Sequence, residues 1–252
     1  MKFFLHLAYK GTRYHGWQRQ PGHPTVQETL EGALGQMLGK KIACIGCGRT
    51  DAGVHASQYF CHIVVDQGFD FDPVFRLNKM LPDDISIFDL FEVDRDSHAQ
   101  RDALERTYTY RIHTAKNAFL SEVSGYYPAE NLDVGILKAA ADLVAAQRDF
   151  RYMCRQPAVY KSTDCDMRAA EWREEEDGRL SFRISANRFL KGMVRLLVGN
   201  MLETGYGRLG LDEFKDLMEG RRPVISYPFA YPQGLYLSEV KYPYQSILRS
   251  ST

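Results

Sequence analysis

The chain has 252 residues, enough for one large domain or two closely joined halves, since a chain of this size buries roughly 70 to 75% of its unfolded surface. Thirty-two Lys and Arg balance thirty-two Asp and Glu, which excludes a polybasic tail or a histone-like polycation but not a local basic cleft. With 44% hydrophobic and 25% charged residues, the composition also excludes disorder, collagen-like repeats and a disulfide scaffold.

In chain order, MKFFLHLAYKG has too short an apolar run for a signal peptide, and the alternation of Phe3, Leu5 and Leu7 with Lys2, Phe4 and His6 predicts a strand. Thr25-Val26-Gln27-Glu28 has capping-box spacing, and Val26, Leu30, Leu34, Met37 and Leu38 continue it along one helical face. Residues 41 to 47 and 58 to 65 read as strands, Asp72-Pro73 opens a helix that stops at Pro82, and 84 to 93 return as a strand. A strand near 106 to 113 begins the second half, and a helix follows Asn131. Residues 171 to 176 and 179 to 185 form a hairpin around a two-residue Asp177-Gly178 turn. Arg188 to Glu203 reads as a helix closed by Gly205, a short helix ends at Gly220, and 234 to 242 form the last strand. Both halves run strand, polar loop, helix, a faint echo, and the expected division of the chain is into residues 1–100 and 101–252. The order suggests an α+β architecture, with helices on one face of a largely antiparallel sheet and the other face left for a large ligand. A parallel doubly wound sheet is the second option.

No stretch approaches eighteen apolar residues, so the expected setting is the cytoplasm, with no membrane involvement and with the five cysteines reduced. Cys44 and Cys47 form a CxxC pair, but it lies in an apolar run with no second pair downstream, which favours buried thiols over zinc or redox use. Seven scattered histidines contain no metal-binding pair spacing. Gly205-Tyr206-Gly207-Arg208-Leu209-Gly210 is a literal GxGxxG, yet it follows a helix and lacks an acidic residue at the ribose-binding distance. Helix termination explains it better than a nucleotide cofactor.

The most unusual stretch is Gly46-Cys47-Gly48-Arg49-Thr50-Asp51-Ala52-Gly53-Val54-His55-Ala56. Turn chemistry alone asks for Gly, Asn or Asp, and does not ask for an arginine two residues before the aspartate. The stretch is either a solvated strand connection or a site whose carboxylate, kept ionised by Arg49 and loop amides, serves as nucleophile or base. Aromatic and basic residues also interleave, as in Tyr14, Trp17 and Arg19, in Arg106, Tyr108, Tyr110 and Arg111, and in Arg188, Phe189, Lys191 and Arg195. Such mixtures suit stacked bases and phosphates, although Tyr108 and Tyr110 equally fit the buried face of a strand.

GRTDAGVHA at 48–56 resembles the signature of the tRNA pseudouridine synthase A family. Tyr9 to Thr12 with Gly16 to Pro21, Arg106-Thr107-Tyr108-Thr109-Tyr110, Asn187 to Leu190 with Met193-Val194-Arg195, and Gly234-Leu235-Tyr236-Leu237 resemble other motifs of that family in the same order. The resemblance implies that Asp51 is the catalytic aspartate, that Arg49 helps hold a flipped nucleotide, that Tyr108 stacks on the target uracil and that Arg195 pairs with Asp51. By the same likeness, Arg49 and Tyr108 also contact substrate, as do His98, Gln100 and Arg101. Arg188 and Lys191 complete that set. The implied fold is two ferredoxin-like halves sharing one sheet, with an RNA-binding cleft opposite the helices. The implied protein is a homodimer that isomerises uridines 38, 39 and 40 of the tRNA anticodon arm without cofactor or metal. Gln100-Arg101 stands where the family usually has Arg-Phe, and Pro228-Phe229-Ala230-Tyr231-Pro232 departs from the usual loop. Neither departure is expected to touch Asp51, Arg49, Tyr108 or Arg195. The alternative is an RNA-binding chaperone that kept the fold and lost the chemistry. Residues 1–60 and 182–210 each carry a net charge of +4, against −6 over 61–100, so a basic RNA-facing surface is compatible with overall neutrality.

Overall fold

The first expected strand forms as β1, Lys2–Tyr9, in the computed structural model, which describes residues 1–222 and 228–244. Nine strands and five α-helices among the described residues make the protein α+β. Pairing is mostly antiparallel, with a few parallel contacts. The chain separates into two compact units, one comprising residues 1–104 with the stretch from Tyr236, the other residues 105–235.

In the first unit, β1 pairs antiparallel with both β3 (His55–Val64) and β4 (Ile85–Val93). Phe3, Leu5 and Leu7 are buried as the alternation requires, and Phe4 on the opposite side is buried too, its ring 5.5 Å from that of Tyr242. Helix α1 (Val26–Leu38) starts where the capping spacing places it, with the Thr25 side chain accepting the Glu28 N–H at 3.3 Å, and stops at Gly39 with φ 67°. Helix α2 (Pro73–Met80) is capped by Asp72, which accepts the Phe75 N–H at 2.9 Å. It ends because the residue before Pro82 is held extended. Asn78 ties α2 to β4 by accepting the Ile87 N–H and donating to the Ile87 carbonyl, both at 2.8 Å.

The strand expected over 41–47 shrinks to β2, Ile45–Gly46. The cause is local competition: Glu31 accepts the Cys44 N–H at 2.9 Å and Gln27 donates to the Cys44 carbonyl at 3.0 Å. Two α1 side chains thereby take the place of a ladder partner. Cys44, Cys47 and Cys61 are buried, and burial pushes the Cys61 thiol well above its usual range. β9 (Leu235–Lys241) pairs parallel with β3, matching His55 with Tyr236 and Ala56 with Leu237. This unit is therefore discontinuous in sequence.

In the second unit, β5 (Glu105–His113), β8 (Leu180–Ala186) and β7 (Met167–Glu174) form an antiparallel set, with the short β6 (Gly125–Tyr126) parallel on β5. The β7–β8 hairpin closes through a three-residue loop, Glu176-Asp177-Gly178, and not the expected two-residue turn. The Gly178 N–H reaches the Glu175 carbonyl and the Glu175 N–H the Arg179 carbonyl, with Gly178 at φ 77°. Helix α3 (Val134–Ala146) is capped by Asp133 and packs on β7 and on α4 (Met193–Gly205).

α4 begins five residues later than the pattern predicts. Gly192 at φ 72° interrupts the run, the Lys191 N–H goes to the Tyr160 hydroxyl at 2.9 Å, and the Lys191 carbonyl accepts from Arg155 at 2.9 Å. The helix is closed by Gly207 at φ 70° rather than by Gly205. Gly205 is the last residue of the helix, and its lack of a side chain is required there because a Cβ would stand 2.8 Å from Leu137. Gly210 precedes α5 (Leu211–Met218), donating its N–H to Glu213. All three glycines of the GxGxxG thus have structural roles at or between helices.

Candidate active site

Asp51 sits half-buried in the loop between β2 and β3, and its neighbours are fixed on both sides. The Thr50 hydroxyl shares a buried 2.8 Å hydrogen bond with the Tyr9 hydroxyl, and the Thr50 carbonyl accepts from Trp17 at 3.3 Å. After Asp51, the Val54 N–H closes a turn on the Asp51 carbonyl at 3.1 Å, and Gly53 takes φ 76° and donates to the Tyr14 carbonyl. The His55 Nδ1 accepts the Gly11 N–H at 2.9 Å. The loop rests on an aromatic floor of Tyr9, Trp17 and Tyr59, whose Trp17 and Tyr59 ring centres are 4.2 Å apart. The Tyr59 hydroxyl donates to the Gly48 carbonyl.

Close backbone approach explains the glycines around this loop. A Cβ at Gly16, whose φ is 84°, would lie 2.2 Å from the Thr50 carbonyl oxygen, and one at Gly11 2.0 Å from that of Val54. Both glycines precede α1, within the Tyr9–Pro21 stretch that resembles the family's amino-terminal motif. Arg49 is exposed.

The second unit carries Tyr108, Arg188, Lys191 and Arg195. Tyr108 lies on β5 opposite Ile184 of β8, almost buried, with its ring edge-on to Phe189 at 5.0 Å. Tyr110, two residues on, is completely buried and belongs to the core. Tyr108, Tyr110 and Ile112 thus share the buried face of β5 that the alternation allowed. The half-buried Arg188 lies 5.8 Å from the centre of the Tyr160 ring, and Lys191 is exposed.

Arg195, on the first turn of α4, is gripped by the segment after residue 227. Its Nε donates to the Ala230 carbonyl at 2.8 Å, its own carbonyl accepts the Ala230 N–H at 3.0 Å, and its guanidinium is 5.5 Å from the Phe229 ring centre. This overturns the expectation that the 228–232 departure leaves the four residues untouched. The segment crosses α4 so closely that a Cβ on Gly199 would stand 1.4 Å from the Pro228 carbonyl oxygen. A cavity of about 610 Å³ is lined in part by Tyr127, Tyr206, Phe229 and Tyr231.

His98, Gln100 and Arg101 lie in a tight turn of the first unit. The His98 Nδ1 faces the N–H groups of Gln100 and Arg101 at 3.2 and 3.3 Å, and Asp102 accepts the His98 N–H at 2.6 Å. His62 accepts the Ala99 N–H at 3.2 Å, and its ring is 4.8 Å from that of His98. Both imidazoles are held below their ordinary pKa, chiefly by burial, His62 to about 4. His98 is therefore a turn-building acceptor, while the exposed Gln100 and Arg101 side chains project from that turn.

Comparison with known proteins decides the ancestry of this arrangement. A family described as tRNA pseudouridine synthase matches residues 140–243. Proteins named tRNA pseudouridine synthase A are similar over nearly their whole length. The one from Bacteroides fragilis is 39% identical over 96% of this chain and 96% of its own. The Porphyromonas gingivalis protein is 36% identical over 96% and 97%, and the Acetivibrio thermocellus protein 35% over 94% and 98%.

The chain belongs to the tRNA pseudouridine synthase A family. Several neighbours of the synthase motifs escaped the sequence reading. Tyr127 belongs to no motif, Tyr231 enters only as part of the 228–232 departure, and nothing in their spacing signals that they meet near Arg195. Tyr9 stands out in the sequence only as part of an amino-terminal motif, and its hydroxyl contact to Thr50 spans 41 residues. Among the described residues no helix is long and apolar enough to cross a membrane.

Proposed function

We propose that this chain isomerises uridines 38, 39 and 40 of the tRNA anticodon arm to pseudouridine, with Asp51 as the catalytic carboxylate. The observation that carries the assignment of Asp51 is its loop, which holds one carboxylate between a residue locked through Thr50 and a turn closed at Val54. Positioning of this kind lowers the cost of bringing a reacting group to its target. The target uridine is flipped out of the RNA, Asp51 engages it, and the N1–C1′ glycosidic bond breaks. The uracil turns within the pocket and rejoins through C5, which gives up its proton while N1 gains one. Because the base is never released and no oxidation state changes, the reaction in this reading requires no cofactor or metal.

In the same reading Arg195 is the basic partner of Asp51, and Tyr108 supports the flipped ring. Exposed Arg49, Arg101 and Lys191 suit phosphate contact, with Arg188, Gln100 and the His98 turn beside RNA. The first unit, with element order β-α-β-β-α-β and strand order β4-β1-β3-β2, supports reading it as a ferredoxin-like half. The proposal extends to a second such half, a cleft for RNA, a homodimer and a cytoplasmic setting. The test is Asp51→Ala assayed on an anticodon stem-loop. Conversion is expected to fall by a factor on the order of 10⁴ or more, and conversion at the parent rate would overturn the assignment.

A further inference from the structure

The grip on Arg195 does not end at Ala230. The next residue, Tyr231, is held at both backbone polar atoms: its N–H donates to the Tyr127 hydroxyl at 3.2 Å, and its carbonyl accepts from the Tyr110 hydroxyl at 2.9 Å. The Tyr110 and Tyr127 hydroxyls are themselves 3.2 Å apart, and the Tyr127 and Tyr231 rings are in contact with centres separated by 5.5 Å. Tyr127 is half-buried beside the cavity, and Tyr110 fully buried. Burial raises both phenols, so both hydroxyls remain protonated and able to donate at neutral pH.

A continuous path of hydrogen bonds and one peptide link therefore runs from Tyr127 through Tyr231 and Ala230 to the Arg195 Nε. An arginine has long, freely rotating side-chain bonds, and its usefulness to a charge pair depends on confining them. The Ala230 carbonyl supplies that confinement at the Nε. The carbonyl is only as well placed as the segment bearing it, and that segment is fixed by Pro228 against Gly199 at one end and by Tyr127 with Tyr110 at the other.

We infer that Tyr127 is a positioning residue for Arg195, setting the guanidinium for the isomerisation by fixing the backbone at Ala230-Tyr231. This rests on the proposed role of Arg195. Tyr127 acts through backbone and guanidinium and does not touch the reacting atoms, so removal of its hydroxyl lowers turnover without changing how RNA is held.

The experiment compares the full chain with Tyr127→Phe, Arg195→Lys and the double variant on an anticodon stem-loop, measuring kcat, KM and thermal midpoint. Lysine keeps the charge and lacks the Nε–H that Ala230 accepts. Tyr127→Phe should lower kcat about 5- to 30-fold with KM within about twofold. In the Arg195→Lys background the same change should cost less than about twofold, because the path it supports is already cut. If Arg195→Lys turns over at the parent rate, the role of Arg195 fails. If Arg195→Lys is impaired while Tyr127→Phe is not, or the two losses multiply, the positioning role fails. Should Tyr127→Phe not fold, Tyr110→Phe removes the other hydroxyl anchoring Tyr231, and the same non-additivity with Arg195→Lys decides the matter.

Discussion

The loop bearing Asp51 is shaped by side chains that are absent, whereas the surroundings of Arg195 are shaped mainly by hydroxyl groups that are present. In the first unit, Gly11 and Gly16 let two backbone segments approach within distances that no Cβ permits. In the second, Tyr127 and Tyr110 hold Tyr231, and through it Ala230. The difference predicts that the first arrangement is sensitive to a Cβ added at Gly11 or Gly16, and the second to a hydroxyl removed at Tyr127 or Tyr110. Gly199, which admits Pro228 against α4, shows the second unit using the first unit's method as well. The two tryptophans, Trp17 and Trp172, lie one in each unit, so single-tryptophan variants report each separately.

The largest effect that would sharpen this contrast is Gly16→Ala. Its positive φ and the Thr50 carbonyl 2.2 Å from the new carbon should together cost at least about 3 kcal/mol. Urea unfolding followed through Trp17 should show the loss, and an unchanged midpoint would break the account of the Asp51 loop.

A smaller effect separates the units by pH. His62 faces His98, Lys2, Arg101 and Asp102, and its pKa is depressed to about 4. An imidazole depressed in this way contributes its stability in full above pH 6.5, and loses it as the pH falls toward 4. The first unit should lose on the order of 1 to 2 kcal/mol by pH 4.5 from this group. His62→Gln should flatten that dependence in the Trp17 signal, and a slope identical to the parent would contradict it.

Smallest is Tyr9→Phe, which strips the hydroxyl from Thr50 and should cost about 1 kcal/mol. It is the counterpart of Tyr127→Phe in the other unit, a hydroxyl one step removed from the proposed charged partner. If Tyr9→Phe reduces turnover more than Tyr127→Phe does, the hydroxyl dependence belongs to the first unit as well, and the contrast dissolves.

Elements governed by short-range physics were legible in the sequence. Thr25, Asp72 and the β1 alternation act within a few residues, and α1, α2 and β1 form where those signals place them. Legibility failed where a distant group competes for the backbone. Cys44 bonds to side chains 13 and 17 residues away, which shortens β2, and Lys191 bonds to Tyr160, which helps delay α4. The Asp51 loop was conspicuous because its composition is unusual. The Arg195 surroundings were not, because Tyr231 and Tyr127 are 104 residues apart and composition says nothing about their meeting.

The pairing of β9 with β3 has a consequence for how the chain is made. The strand beginning at His55 waits for a partner that starts at Tyr236, after the ribosome has added the whole intervening unit. At about 5 to 20 residues per second this is a delay of roughly 10 to 30 seconds, during which the β3 edge beside the Asp51 loop stands open to other chains. Nascent chains arrested before Tyr236 should cross-link to chaperones or to each other through this edge, and chains released after Lys241 should not.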